Sequence, residues 1–177
     1  MTFKGIDDQT VELRITNYQY PEIKEGDWDG NWLNIYIKVK SKCGHWQTVD
    51  PSLTTWEVQG LINWFETLSK NERIEHLEKN FTEPNLSFEL LGNQNNASKT
   101  FRIKFNLESR PESATDDKEY YVDCIADNEE LNRIINDLRT ELERYPERKP
   151  AHNKGYNKCR LKNIIASLFS RSNIRVC

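Results

Sequence analysis

The sequence predicts an α+β protein in which an antiparallel sheet of about six strands is covered by two main amphipathic helices. The expected order is βββαβββα, followed by a basic C-terminal tail. Six segments are predicted to be strands, three of which clearly alternate apolar and polar residues, and two segments repeat apolar residues at helical spacing. Short turns separate several of the strands, which favours antiparallel hairpins with the helices packed on one face of the sheet.

Three strands precede the first helix. "TVELRITNYQY" (10–20) alternates apolar and polar residues and ends at Pro21. "WLNIYIKVK" (32–40) repeats the pattern, and "HWQTV" (45–49) follows after the short turn "SKCGH". The second and third strands are therefore predicted to form a hairpin.

The first helix is predicted over "TTWEVQGLINWFETLSK" (54–70). Thr54 and Glu57 have the spacing of a capping box, in which each residue satisfies a backbone N–H group of the other. The apolar stripe of this helix consists of Leu61, Trp64, Phe65 and Leu68. Trp56 lies about 140° around the helix from Leu61 and is therefore off the stripe.

The second half of the chain repeats this order after a polar connector (71–80). Strands are predicted at 81–92, 98–109 and 118–126, with a turn at 93–96 and an acidic loop, "RPESATDD", at 110–117. The second helix is expected over 127–145. Asp127 and Glu130 form its capping pair, and Pro146 ends it.

Charge divides the chain into an acidic body and a basic tail. Residues 148–177 contain eight basic and no acidic residues, so the first 147 residues carry 17 basic against 28 acidic residues and a net charge of −11. We expect a single α+β domain over 1–147 and a tail over 148–177, in which 160–169 can form a short amphipathic helix. The tail can contact nucleic acid or an anionic membrane, dock on the acidic body, or stay without fixed structure.

The chemistry-bearing residues do not form a convincing catalytic or metal site. Cys43, His45 and Cys124 lack the spacing and the fourth ligand of a zinc site. Asp27 and Asp29 lie in a loop that departs from the calcium-loop pattern, and no third polar group joins them. No phosphate-binding glycine motif occurs. We therefore predict no catalytic residue, no cofactor and no metal, with a metal-dependent enzyme as the less favoured alternative.

The N-terminus lacks the pattern of a signal peptide, and no apolar run approaches the ~18 residues of a membrane span. The four cysteines are far apart, which favours free thiols in a reducing compartment. The expected location is therefore the cytoplasm. The acidic body repels nucleic acid and favours basic partners, so no direct contact of the body with nucleic acid is predicted.

Three phrases carry a family resemblance. They are "WDGNWLNIYIKVK", with the strand entry Asp29–Leu33; "DPSLTTWEVQGLINWFETL", with Thr55–Glu57 and Trp64; and "FTEPNLSFELLG", with the strand entry Phe81–Asn85. In this order they resemble the WapI-type immunity proteins of bacterial polymorphic toxin systems, over about residues 8 to 145. The tail lies outside the resemblance.

The resemblance implies a cytoplasmic protein that binds and blocks the C-terminal toxin domain of a cell-surface polypeptide. For the founding type that domain cleaves RNA. An acidic body is suited to such a partner, because RNases present basic grooves. A generic scaffold or regulatory binding module is the main alternative to this immunity function.

Two loop clusters are the candidate partner-binding residues. The first comprises Glu22, Glu25, Asp27, Trp28 and Asp29, and the second comprises Glu112, Asp116, Asp117 and Glu119. Trp32 lies out of phase with the apolar positions of its strand. A buried Trp32 would make this loop mainly a device that starts the strand, whereas an exposed Trp28 would keep its first half as a partner patch.

Overall fold

The computed structural model describes residues 1–26, 28–94, 97–115 and 117–150. The elements follow the order ββββαββββα and comprise β1 (Thr2–Lys4), β2 (Thr10–Tyr18), β3 (Trp32–Ser41), β4 (Gly44–Thr54), α1 (Thr55–Ser69), β5 (Glu78–Asn80), β6 (Leu86–Gln94), β7 (Ser98–Phe105), β8 (Tyr120–Asp127) and α2 (Asn128–Glu143). The predicted α+β class and the alternation of strand groups with helices are confirmed. Asp27, Asp116, part of the predicted 93–96 turn and the predicted tail helix (160–169) lie outside the described residues.

The strands form two antiparallel sheets of four, ordered β1-β2-β3-β4 and β5-β6-β7-β8, whereas a single sheet of about six was expected. The two additional strands are β1 and β5, each only three residues long. Such short strands have no measurable periodicity, so the sequence pattern could not reveal them. An isolated bridge between Gly5 and Cys124 brings the chain just after β1 alongside β8, which links the two sheets.

The predicted capping box begins α1. The Thr54 hydroxyl accepts a hydrogen bond from the N–H group of Glu57 at 3.3 Å, and the Glu57 carboxylate accepts one from the N–H group of Thr54 at 2.8 Å. The second carboxylate oxygen accepts from the N–H group of Thr82 at 2.7 Å. The Thr82 N–H group is therefore occupied by this bond, and Pro84 has no backbone N–H group, so neither residue can donate a hydrogen bond to a neighbouring strand. The strand predicted over 81–92 therefore begins only at Leu86, which corrects its start.

The helix α2 begins and packs in the way its sequence indicates. The Asp127 carboxylate accepts from the N–H group of Glu130 at 2.8 Å and caps the helix. Its apolar stripe is buried against α1 and the strands. Glu141 is also buried, and its carboxylate accepts from the N–H group of Ile15 at 3.1 Å, beside a bulge in β2. Glu141 thereby satisfies a backbone donor where the ladder is irregular.

Phe3 is the point at which both sheets and a helix meet. The strand β1 pairs with β2, yet the ring of Phe3 is fully buried between Phe65 of α1, Phe88 of β6 and Phe101 of β7, with centroids 5.7–6.2 Å apart. Such tilted and edge-on ring contacts add to the free energy gained by apolar burial. One residue of a three-residue strand therefore ties the two sheets to α1.

We predict that Phe3→Ala lowers the free energy of unfolding by about 3 kcal/mol, because it leaves a cavity lined by three aromatic rings. The exposed neighbour Thr2→Ala is the matched control and should change stability by less than about 0.5 kcal/mol. Urea denaturation of both variants measures the difference. If both variants lost the same free energy of unfolding, β1 would contribute to stability only through its backbone pairing with β2.

Candidate partner-binding surface

The loop between β2 and β3 separates into an exposed and a buried half. Trp28 is 52% exposed, whereas Trp32 is 8% exposed and begins β3. The carbonyl of Trp32 accepts a hydrogen bond from the N–H group of Gln19 at 2.8 Å. Both conditions set by the sequence are therefore met: Trp32 starts the strand, and Trp28 remains available on the surface.

Trp28 does not stand alone, because it packs against Trp56 in the first turns of α1. The ring centroids are 5.0 Å apart and the planes are inclined at 56°. Trp56 is half-buried and lies off the apolar stripe of its helix, as the helical spacing predicts. The pair forms a surface aromatic patch whose side chains already restrict one another, which lowers the entropy cost of binding a partner.

An apolar groove extends from Trp56 between α1 and α2, with a volume of about 480 Å³. Its apolar lining comes from Trp56, Ile62, Leu142 and Pro146, and its polar lining includes Arg139, Glu143 and Glu147. This groove could not be predicted from the sequence, because it depends on which faces of two distant helices meet. The off-stripe position of Trp56 was the one signal that pointed to it.

Residues 146–149, which we name the C-terminal strap, hold the loop in place through Asn31. The side-chain amide of Asn31 donates to the carbonyl of Arg148 and accepts from its N–H group, each at 2.8 Å. The same amide oxygen accepts from the hydroxyl of Thr55 at 3.1 Å. Asn31 is only 1% exposed, so these bonds join the loop, the strap and the start of α1 away from water.

Arg148 adds a second set of contacts from the strap to the loop. Its guanidinium donates to the carbonyls of Tyr20 and Gly30 at 2.8 and 3.2 Å, and it stacks 3.4 Å from the ring centre of Tyr18. Burial raises the pKa of the Tyr18 hydroxyl, and the nearby Arg148 charge partly opposes this effect. Arg148, expected as the first tail residue, is thus built into the surface that supports Trp28.

Glycine is required at position 26 by the closeness of the strap. The N–H group of Gly26 donates to the carbonyl of Lys149 at 3.2 Å. A Cβ atom at this position would lie 2.9 Å from Cβ and 3.0 Å from the carbonyl oxygen of Arg148. Any side chain at Gly26 would therefore push the strap away from the loop.

The described members of the two acidic clusters predicted from the sequence lie far apart. In the first cluster Glu22, Glu25 and Asp29 are exposed, as are Glu112, Asp117 and Glu119 in the second. The first cluster immediately precedes β3, whereas Glu119 lies beside the turn that follows it, where its carbonyl accepts from the Cys43 thiol at 3.9 Å. Because β3 is about 30 Å long, the structure does not bring the two clusters together.

Within the described ranges, no group of three or more His, Cys, Asp and Glu residues is placed to hold a metal ion. Cys43 is exposed and Cys124 is buried, and both are free thiols. Burial raises the pKa of the Cys124 thiol to about 12, so it stays protonated at neutral pH. None of the described helices has both the length and the apolar composition needed to cross a membrane.

We predict that Asn31→Ala lowers the free energy of unfolding by about 2 kcal/mol, because the N–H and carbonyl groups of Arg148 lose their buried partner. Asn34→Ala is the matched control, since the half-buried Asn34 side chain forms no hydrogen bond within the described part of the chain. Its effect should stay within about 0.5 kcal/mol. Thermal or urea unfolding compares the variants, and equal stability of both would contradict the proposed anchoring.

Comparison with known proteins identifies the family. Residues 2–146 match the Immunity protein WapI-like family, which covers both sheets, both helices and the first loop. Neither the curated proteins nor the solved structures provide a match. The match confirms the resemblance carried by the three sequence phrases, and the chain belongs to the Immunity protein WapI-like family.

Proposed function

We propose that this immunity protein neutralises the C-terminal toxin domain of a cell-surface polymorphic toxin by forming a stoichiometric complex with it in the cytoplasm. The toxin domain is an RNase, and the immunity protein blocks it without catalysing a reaction. Family membership supports the immunity role and the existence of a toxin partner. The charge of the body supports the RNase, because an enzyme that binds a phosphate backbone presents basic groups to an acidic inhibitor.

The observation that carries the proposal is the exposed Trp28 held against Trp56. Tryptophan is enriched among the residues that dominate binding energy, and such residues act best when they are already ordered. Glu22, Glu25, Asp27 and Asp29 surround Trp28 in the sequence. In the described part of the chain, Glu22, Glu25 and Asp29 form no ion pair with a basic residue, so their charges are available to a partner.

The two clusters then have different roles in the complex. The loop with Trp28 contacts the toxin directly: the Trp28 ring forms the centre of the contact, and the acidic residues of the same loop lie around it. Of the second cluster, the described residues Glu112, Asp117 and Glu119 lie at the other end of β3, about 30 Å away, and this cluster contributes mainly to long-range attraction during encounter. We assign different roles because the two clusters are so far apart. An interface centred on Trp28 would have to be large to reach both ends of β3.

Co-expression tests the proposed function directly. We expect cells that produce the toxin domain encoded just upstream of this chain to grow only when the chain is also produced. The two proteins should co-purify in a constant ratio. A toxin inactivated in its own catalytic residues should still co-purify. Absence of both growth rescue and co-purification would overturn the proposal.

We predict that Trp28→Ala weakens the complex about 30-fold, mainly through faster dissociation, because a central aromatic contact contributes about 2 kcal/mol. Val49→Ala is a matched control, because Val49 is 55% exposed and lies on β4 away from the loop. Surface plasmon resonance with the inactivated toxin domain measures both variants. Unchanged dissociation of Trp28→Ala would exclude Trp28 from the contact.

We predict that the combined change Glu22→Lys, Glu25→Lys and Asp29→Lys slows association about tenfold at low salt, and that this effect shrinks as salt screens the charges. The same reversal at Glu112, Asp117 and Glu119 is the control and should slow association less and leave dissociation unchanged. Stopped-flow binding at several salt concentrations gives the rates. A loss of association that does not depend on salt would contradict electrostatic attraction.

A further inference from the structure

The groove between α1 and α2 presents an apolar floor with an acidic edge. Leu142 and Pro146 contribute apolar surface beside Trp56. Arg139 is the basic residue of the lining. Its guanidinium donates a hydrogen bond to the carboxylate of Glu66 on α1 at 2.5 Å, so its charge is already compensated. A ligand suited to this groove therefore carries a row of apolar side chains flanked by positive charges.

Two further carboxylates lie at the groove, on the last turn of α2 and just after it. Glu143 and Glu147 are exposed, and neither forms an ion pair with any residue that the structure describes. Lysine and arginine are favoured near the C-terminus of a helix, where the helix dipole is negative. Both the two carboxylates and the negative end of the α2 dipole therefore attract basic groups to this end of the groove.

The chain itself contains a segment with the required chemistry. Residues 151–177 carry six basic and no acidic residues. Within them, apolar residues recur at helical spacing at Leu161, Ile164, Ile165, Leu168 and Phe169. Arg160 and Lys162 flank the first of these positions. The family match ends at residue 146, so this segment is a feature of the chain beyond the family domain.

The position at which the described chain ends brings this segment within reach. Pro146 and Glu147 line the groove, and the strap that follows is fixed to the first loop by Asn31 and Gly26. The chain from Pro150 to Leu161, 11 Cα–Cα steps, can extend to about 35 Å. The whole of α1, at 15 residues, is about 22 Å long. The segment can therefore reach any point along the groove.

We propose that residues 160–169 dock in the groove between α1 and α2, with their apolar side on Trp56, Leu142 and Pro146 and their basic residues near Glu143 and Glu147. The attachment of the strap makes this an intramolecular event at an effective concentration in the millimolar range. At that concentration a site with a dissociation constant of about 0.1 mM is roughly 90% occupied.

The docked segment covers one side of Trp56. It therefore competes with the toxin at the aromatic patch, a consequence that rests on the proposed function.

Thiol labelling of the full-length chain tests the docking without the toxin. Every sample carries Gln59→Cys, which places a thiol on the exposed face of α1 at the groove, together with Cys159→Ser and Cys177→Ser. One sample keeps the apolar residues of the segment, and the other carries Leu161→Ser, Ile165→Ser and Leu168→Ser. The exposed Cys43 is the internal reference for the labelling rate, and the buried Cys124 reports any unfolding.

We expect the thiol introduced at position 59 to react with a maleimide about tenfold more slowly when the apolar residues are intact, as follows from 90% occupancy. A third sample keeps the apolar residues of the segment and carries Glu143→Lys and Glu147→Lys. We expect these changes to restore fast labelling at low salt. Equal labelling rates in the first two samples would overturn the proposal. Protection that increases with protein concentration would also overturn it and would assign the groove to a second copy of the chain.

Discussion

The buried contact of Phe3 with three aromatic rings organises the rest of the molecule. Its strand pairs with β2 in one sheet, while its side chain packs on β6 and β7 of the other sheet and on α1. Because α1 is fixed relative to both sheets, its first turn and Trp56 occupy a defined place on the surface. A core contact thus determines where the aromatic patch lies.

From this core, a second constraint extends to the surface through Asn31. Its amide joins the start of α1 to the strap that follows α2, and the strap closes over the first loop at Gly26. The loop that carries Trp28 therefore depends on residues more than 100 positions later in the chain. Exposed aromatic and acidic groups rest on a satisfied hydrogen-bond network, an arrangement that suits a preorganised binding surface.

The long elements were predictable because each carries its own periodicity. Alternation identified β2, β3 and β7, and the capping residues Thr54 and Asp127 marked where both helices begin. The phase of Trp32 on its strand left open whether its side chain is buried or exposed, and the structure shows that it is buried. The strands β1 and β5 carry too few residues for a pattern, and the strand entry at 81–85 was misjudged because Glu57 captures the N–H group of Thr82. The groove and the strap depend on contacts between distant segments, which no local pattern encodes.

Hydrogen–deuterium exchange of the chain, alone and bound to an inactivated toxin domain, tests whether the toxin contacts Trp28 and Trp56. We expect binding to slow exchange in the loop around Trp28 and in the first turns of α1. Exchange in the 110–119 loop should change little, because it lies at the opposite end of β3. Protection confined to the 110–119 loop, with unchanged exchange around Trp28 and Trp56, would show that the toxin does not bind at the aromatic patch.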